Sequence, residues 1–248
     1  MRYFLELAYS GTRFNGFQEQ VKGVTIQSSI ETALATLLRH PTKIVGCGRT
    51  DAGVHALQYY AHFDTEQIIS EDFIYKINSI TGYDIVFSKL IPVHAAAHAR
   101  FDATSRSYEY VIDFVRSPFR QETAFYCPYS NRLDLNKMQA TAQLLLQYED
   151  FTTFCKSHTD SKTKICKLTR SEWFFNPDTQ QFVYQVTADR FLRGMIRLIV
   201  GMCLNVGKGK TNLEEVKTAL ENKTILTSAF SVPAQGLFLK DVRYGFKL

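Results

Sequence analysis

The 248-residue sequence predicts an α+β fold in which two β-α-β-β-α-β halves share a mostly antiparallel sheet around a central cleft. Residues 2–9 alternate as in a strand half-buried in a sheet. The order of strand and helix signals in the first half recurs roughly in the second, and no low-complexity linker separates them. We therefore expect two fused ferredoxin-like domains, residues 1–103 and 104–248.

The first half carries six signals in the order β-α-β-β-α-β. The predicted elements are strands at 2–9, 42–47, 57–64 and 84–91, a helix after Thr25, and a helix from Ser70 to about Ile80. In the first strand one face holds Tyr3, Leu5, Leu7 and Tyr9. The side chain of Thr25 can cap the helix that follows, and an apolar helical stripe begins at Ile26.

The second half begins with an extended strand and repeats the order. The predicted elements are strands at 104–115, 167–175, 181–189 and 237–244, and helices at Asp134–Leu146, at Phe191–Val206 and after Thr211. Asn176-Pro177-Asp178-Thr179 is a favourable turn sequence between two of the strands. Glu214 would complete a capping box with Thr211.

Composition excludes several classes of protein. The net charge of +5 is compatible with nucleic-acid binding and equally with an ordinary basic enzyme. Five cysteines without a C-x-x-C pair, and histidines without metal-ligand spacing, give no support for zinc or a disulfide framework. The N-terminus lacks an apolar segment and no run is long enough to span a membrane, so we expect a cytoplasmic protein.

The segment 48–56 is the most informative for chemistry. Gly48 and Gly53 flank Arg49-Thr50-Asp51 between two predicted strands, a geometry that can hold Asp51 at the lip of a cleft. Such a carboxylate can act as nucleophile or general base. The alternative is an aspartate that caps its own turn beside a solvated Arg49, and local spacing does not choose between them.

This segment, GRTDAGVHA, closely resembles the signature of the TruA family of tRNA pseudouridine synthases. Four further segments resemble family motifs in the same order: YSGTRFNGFQEQ (9–20), HARFDATSRSYEY (98–110), FLRGMIRLIVG (191–201) and GLFLKDVRY (236–244). The resemblance runs from residue 3 to 244. It departs at Phe17, where the family usually has Trp, and at Arg193-Gly194, where some members carry a His pair.

The resemblance implies the pseudouridine synthase fold, a homodimer, and isomerisation of uridine to pseudouridine at positions 38, 39 and 40 of the tRNA anticodon stem-loop. The bond from ribose to uracil N1 breaks and the same base reattaches through C5. Oxidation state does not change and no group is donated, so no cofactor or metal is expected. Asp51 would be the catalytic nucleophile, attacking the ribose or the base, or would abstract a ribose proton.

The resemblance also assigns the remaining roles. Arg197 would be the cation that keeps Asp51 ionised, and Tyr108 would stack on the target base. Leu237 would line the apolar wall of the pocket, and Arg49 would replace the flipped base or hold the backbone. Further tRNA contacts would come from two stretches, His98, Ala99, Arg100 and Phe101, and His158, Thr159, Asp160, Ser161 and Lys162.

Other interpretations of the same residues stay open. Arg193 and Arg197 lie four apart and could form a solvated basic face of an amphipathic helix. A non-catalytic RNA-binding module built on ferredoxin-like units is the alternative function, although such a protein has no need of Asp51. A hydrolase with paired carboxylates would need a second acid near Asp51, and Asp64 and Asp102 are the candidates.

Overall fold

The computed structural model describes residues 1–128, 133–155, 163–226 and 228–248. The chain divides into two compact units, one formed by Met1–Arg106 with Phe238–Leu248 and the other by Ser107–Leu237. Each unit combines helices with strands, and the longer strand pairs within the units are mostly antiparallel. This confirms the predicted fold class.

The described residues contain nine strands and five α-helices. In chain order they are β1 Arg2–Tyr9, α1 Ile26–Leu38, β2 Val45–Gly46, β3 His55–Asp64, α2 Phe73–Thr81, β4 Ile85–Val93, β5 Ala103–Asp113, β6 Phe125–Tyr126, α3 Leu135–Leu144, β7 Leu168–Asn176, β8 Gln181–Ala188, α4 Met195–Gly207, α5 Leu213–Glu221 and β9 Leu237–Tyr244.

The first unit has the strand order of a ferredoxin-like fold. β1 lies between β4 and β3 and is antiparallel to both, and the short β2 pairs with the other side of β3. The predicted apolar face of β1 is confirmed, because Tyr3, Leu5, Leu7 and Tyr9 are all buried. β9 joins this unit by a parallel pairing with β3, in which Phe238 lies opposite His55.

Two helices of the first unit begin in different ways. Thr25 is the N-cap of α1 as predicted, and its hydroxyl accepts a hydrogen bond of 3.1 Å from the backbone N–H of Ser28. Ser70 is not the cap of α2, so that prediction is wrong. α2 begins three residues later, behind Asp72, because the Ser70 hydroxyl donates to the Asp72 carboxylate instead of capping the helix.

The cap predicted for α5 is also wrong by one residue. Asn212 is the N-cap, and its side-chain oxygen accepts a hydrogen bond of 2.9 Å from the backbone N–H of Glu215. The Thr211 hydroxyl donates to the carboxylate of the same Glu215. Glu215 therefore takes the place predicted for Glu214, with its carboxylate bonded to the side chains of Thr211 and Asn212, and Asn is at least as good an N-cap as Thr.

The start of α4 corrects the expectation that bears most on function. The sequence predicts a helix from Phe191, but α4 begins at Met195. Gly194 precedes it with φ of 72°, a left-handed conformation that interrupts a right-handed helix and that glycine adopts without strain. Arg193 therefore lies outside the helix, and the expectation that Arg193 and Arg197 share one helical face is wrong.

The second unit contains the remaining predicted elements other than the strand at 237–244, together with the short β6, which was not predicted. β7 and β8 form an antiparallel hairpin whose turn is closed by Asn176, because its side-chain oxygen accepts from the backbone N–H groups of Asp178 and Thr179 at 3.0 and 3.3 Å. Asp134 caps α3 through a bond of 3.1 Å to the N–H of Lys137. Over the part of the chain described, no helix is long and apolar enough to cross a membrane.

Candidate active site

Asp51 lies in the turn between β2 and β3, as the glycine-flanked segment predicts. The turn is closed by its backbone, because the N–H of Val54 donates to the carbonyl of Asp51 at 3.2 Å and Gly53 adopts φ of 78°. Asp51 itself is half-buried, whereas Arg49 is exposed. The turn therefore presents one carboxylate and one guanidinium from a backbone held at both ends by strands.

The N-terminal segment packs directly on this turn. The N–H of Phe17 donates to the carbonyl of Thr50 at 3.2 Å. A Cβ on Gly16 would lie only 2.7 Å from that same carbonyl oxygen, and Gly16 has φ of 84°. Only a glycine allows this close backbone approach, so the Y-x-G-x-x-x-x-G segment acts as a support for the residue preceding Asp51.

An aromatic layer lies beneath the turn. The hydroxyls of Tyr9 and Thr50 form a hydrogen bond of 2.8 Å, and the hydroxyl of Tyr59 donates to the carbonyl of Gly48. Phe17 stacks on Tyr59 with ring centroids 4.4 Å apart and is only 3% exposed. Phe17, which stands where the family usually has Trp, is therefore a packing residue under the turn. Tyr9 lies in the matched N-terminal segment, but its supporting role and that of Tyr59 had no sequence signal.

The predicted tRNA-contacting stretch His98–Phe101 forms a tight loop that bonds to itself. The Nδ1 of His98 accepts from the backbone N–H groups of Arg100 and Phe101 at 3.1 and 3.2 Å. The carboxylate of Asp102 accepts from the N–H of His98 at 2.8 Å. The backbone N–H groups of His98, Arg100 and Phe101 are thus paired within the loop, and the side chains of Arg100 and Phe101 stand at its tip.

The four residues of this loop differ in what they expose. Ala99 is fully buried, and its N–H and carbonyl are bonded to the Nδ1 of His62 at 3.1 Å and to the hydroxyl of Tyr244 at 2.7 Å. Phe101 is 75% exposed, and the Arg100 guanidinium lies 5.8 Å from its ring centroid. A cation beside an exposed aromatic ring suits both a phosphate and a nucleobase.

Arg106 is a site residue that the sequence analysis missed. Its guanidinium donates to the carbonyls of Cys47 at 2.9 Å and of Arg100 at 2.8 Å. It thereby links the residue that precedes the Asp51 turn to the tip of the 98–102 loop. Arg106 stands in the HARFDATSR segment, but only its backbone partners reveal this role, and they have no sequence signal.

In the second unit, two tyrosines of β5 occupy the same face of the strand. Tyr108 is nearly buried and its ring packs edge-on against Phe191 at 5.2 Å. Tyr110, two residues further along, is fully buried and donates its hydroxyl to the carbonyl of Pro233 at 2.8 Å. Burial raises the pKa of Tyr110, and the nearby Arg197 cation opposes that shift.

Arg197 lies in the first turn of α4 and is held against the segment before β9. Its Nε donates to the carbonyl of Val232 at 2.7 Å, and the N–H of Val232 donates to the carbonyl of Arg197 at 3.3 Å. Leu237, the first residue of β9, follows that segment and is 6% exposed. The structure therefore brings Arg197 and Tyr110 to one segment, and Tyr110 is another residue to which the matched motifs gave no role.

Of the two candidate second carboxylates of a paired-acid hydrolase, Asp64 lies far from the Asp51 turn and Asp102 is bonded within its own loop. Asp64 ends β3, nine residues after His55 and so roughly 30 Å along the strand, and it pairs with Arg2 at 2.7 Å. Such hydrolases hold their carboxyls within ~9.5 Å of each other. Asp102 caps its own loop.

Two remaining predictions concern metal ligands and the tRNA contacts at residues 158–162. No group of three or more His, Cys, Asp or Glu side chains that could hold a metal ion is found over residues 1–128, 133–155, 163–226 and 228–248. The predicted contacts His158, Thr159, Asp160, Ser161 and Lys162 lie outside the described residues.

Comparison with known proteins gives one consistent result. The family model described as tRNA pseudouridine synthase matches residues 142–245. Proteins named tRNA pseudouridine synthase A from Parabacteroides distasonis and Bacteroides fragilis are 45% and 43% identical to this chain over 246 and 245 residues. The protein of the same name from Azobacteroides pseudotrichonymphae is 42% identical over 244 residues. Each match covers 98% of this chain and 96% of the relative.

Proposed function

Because the chain belongs to the tRNA pseudouridine synthase family and is an isomerase that makes pseudouridine in tRNA, we propose that its targets are the uridines at positions 38, 39 and 40 of the anticodon stem-loop. The α+β architecture with mostly antiparallel strand pairing agrees with the pseudouridine synthase fold. The family indicated by the sequence motifs is confirmed, and the target positions are the part we propose.

The observation that supports Asp51 as the catalytic carboxylate is the convergence of matched segments on its turn. Tyr9 of the first segment bonds to Thr50, Arg106 of the third bonds to Cys47, and Phe238 of the last stacks on His55 at 4.6 Å. Segments far apart in sequence thus meet around one short turn. Precise support of this kind is what positioning a reactive carboxylate requires.

The reaction defines what each proposed residue must do. Asp51 acts on the ribose or the base of a uridine that has left the stack, which costs a few kcal/mol. Tyr108 and Arg197 are proposed as its partners and Leu237 as part of the pocket wall, on the strength of the family resemblance. Arg49, Arg100 and the exposed ring of Phe101 would hold the tRNA backbone and unstacked bases.

The proposed target positions can be tested on unmodified tRNA. Purified protein should introduce pseudouridine at 38, 39 or 40 wherever the transcript carries uridine there, and carbodiimide labelling followed by primer extension would map it. A matched transcript with cytidine at these positions should give no signal. Pseudouridine at other positions alone would contradict the proposed target while leaving the family assignment intact.

Activity is expected to survive exhaustive chelation without added nucleotide or redox cofactor, because the isomerisation is redox-neutral and transfers no group from a donor. The measurement is the single-turnover rate with and without EDTA at saturating tRNA. Polyamine in place of magnesium should keep the tRNA folded as a control. A lost rate that one specific divalent ion restores, with tRNA folding unchanged, would contradict the prediction.

A homodimer and a cytoplasmic location also follow from the family resemblance and remain predictions. The oligomeric state can be measured by light scattering coupled to size exclusion. A monomer that is fully active at the enzyme concentration of the assay would contradict the dimer.

A further inference from the structure

β3 carries two buried histidines, one near each end, with the same hydrogen-bonding arrangement. His55 is 3% exposed and its Nδ1 accepts from the backbone N–H of Gly11 at 3.2 Å. His62 is 4% exposed and its Nδ1 accepts from the backbone N–H of Ala99 at 3.1 Å. Each imidazole thus ties a loop that is distant in sequence to the same strand.

An imidazole nitrogen accepts a hydrogen bond only when it carries no proton, so both rings must present an unprotonated Nδ1. Burial, together with the Arg2 and His98 charges, lowers the pKa of His62 from 6.5 to about 4, against the opposing effect of Asp64 and Asp102. His62 is therefore neutral at physiological pH.

His55 is fixed by different neighbours. Its ring stacks on Phe238 with centroids 4.6 Å apart and an interplanar angle of 19°. This stacking orients the imidazole so that Nδ1 faces Gly11, in the same unit.

The two loops serve different parts of the proposed function. Gly11 belongs to the N-terminal segment that continues to Phe17, whose N–H bonds to Thr50 beside Asp51. His55 also follows Val54, whose N–H closes the Asp51 turn. His55 therefore joins the turn to the segment that supports it.

Ala99 belongs to the loop that exposes Arg100 and Phe101. The bond to His62 fixes the buried side of this loop, and the His98 ring lies 4.8 Å from the His62 ring. Together with the bonds from Tyr244 and Arg106 to the carbonyls of Ala99 and Arg100, His62 thus sets the direction in which the cation and the aromatic ring face solvent.

We propose that His55 and His62 are positioning residues with separate tasks: His55 aligns the Asp51 turn for chemistry, and His62 holds the 98–102 loop in the orientation that binds tRNA. This inference rests on the proposed function. It adds to that function a division of tasks between the two histidines of β3, which lie roughly 23 Å apart along the strand: His55 serves the chemistry and His62 serves tRNA binding.

Paired substitutions separate the two tasks. In His55→Leu and His62→Leu the acceptor is lost, whereas in His55→Asn and His62→Asn the side-chain oxygen stands close to where Nδ1 was and can accept the same bond. His55→Leu should lower the single-turnover rate at saturating tRNA by ~10²-fold, the effect of about 1 Å of misplacement, with the tRNA Kd within about threefold of wild type. His62→Leu should raise the tRNA Kd by ~10-fold and keep the saturating rate within about twofold, since one lost positioning bond is typically worth about a factor of ten.

We expect the asparagine variants to recover the wild-type rate and tRNA Kd. His40→Leu, at an exposed histidine outside both loops, is the control and should leave the rate unchanged. Amide exchange of the full-length protein adds a readout that needs no activity: His55→Leu should accelerate exchange at Gly11 alone, and His62→Leu at Ala99 alone. Equal effects of the two leucine variants on rate and Kd, or no recovery by asparagine in folded protein, would overturn the proposal. If the leucine variants do not fold, glutamine replaces leucine as the test variant, because its side-chain oxygen lies one bond beyond the Nδ1 position. The same differences in rate and Kd are then expected between the glutamine and asparagine variants at each position. If wild-type protein forms pseudouridine only outside positions 38, 39 and 40 while the rate, Kd and exchange patterns hold, the proposed target is refuted and the positioning roles of His55 and His62 still stand.

Discussion

Replacing Asp51 by asparagine is expected to abolish pseudouridine formation, with a fall in the single-turnover rate of at least ~10⁴-fold. The amide matches the carboxylate in size but cannot act as nucleophile or base. The fold should survive, because the turn is closed by backbone bonds from Val54 to Asp51 and from Phe17 to Thr50 that do not involve the carboxylate. Rate, tRNA Kd and melting temperature are the measurements.

Asp64→Asn is the matched control, since Asp64 lies at the other end of β3 and pairs with Arg2. Its rate should stay within about threefold of wild type, as expected for an exposed ion pair. Mass spectrometry must first exclude deamidation of the introduced asparagine back to aspartate. Retained turnover in the verified Asp51→Asn variant would place the catalytic carboxylate elsewhere.

Local signals predicted most of the secondary structure because the interactions that create it are local. The apolar alternation of β1, the Thr25 cap of α1 and the Asn176 turn all depend on residues within a few positions of each other. Where neighbouring polar residues compete for a cap, the prediction failed: Asp72 replaced Ser70, and Asn212 replaced the residue before it. In both cases side chains a few residues apart bond to each other, and the sequence does not show which of the competing local bonds forms.

Pairing between distant strands had no comparable signal. β9 was predicted to within a residue at both ends, yet its parallel pairing with β3 joins His55 to a residue 183 positions away, Phe238. Parallel pairing leaves no turn sequence to mark it. The order of strand and helix signals could indicate the fold class but not this partner.

The candidate site was predictable only as far as motifs reach. Asp51 was identified from its glycine-flanked turn and from the family resemblance. Both signals depend only on which residue types stand at which positions. The supports of that turn were missed because Arg106, Tyr59 and His55 bond to backbone atoms of residues distant in sequence. The sequence gives the side chains but not which backbone groups they bind. Positioning residues of this kind can therefore be identified only from the structure.

Arg197→Ala should lower the single-turnover rate at saturating tRNA by ~10²–10³-fold, whereas Arg193→Ala should leave it within about twofold. The ion pair with Asp51 that the family resemblance implies would lose its cation in the first variant. Arg193 is exposed and precedes α4, so its loss should at most weaken tRNA binding, by an amount that shrinks as salt rises.

The same variant also removes the bond from the Arg197 guanidinium to the carbonyl of Val232, so a structural loss must be separated from an electrostatic one. Arg197→Lys keeps a cation, and Arg197→Gln keeps an N–H donor for that carbonyl without the charge. We expect lysine to recover a substantial part of the rate and glutamine none, with amide exchange at Val232 closer to wild type in the glutamine variant than in the alanine variant. Equal saturating rates for Arg197→Ala and Arg193→Ala would mean that Arg197 serves only to anchor Val232, and the ion pair with Asp51 would have to be abandoned.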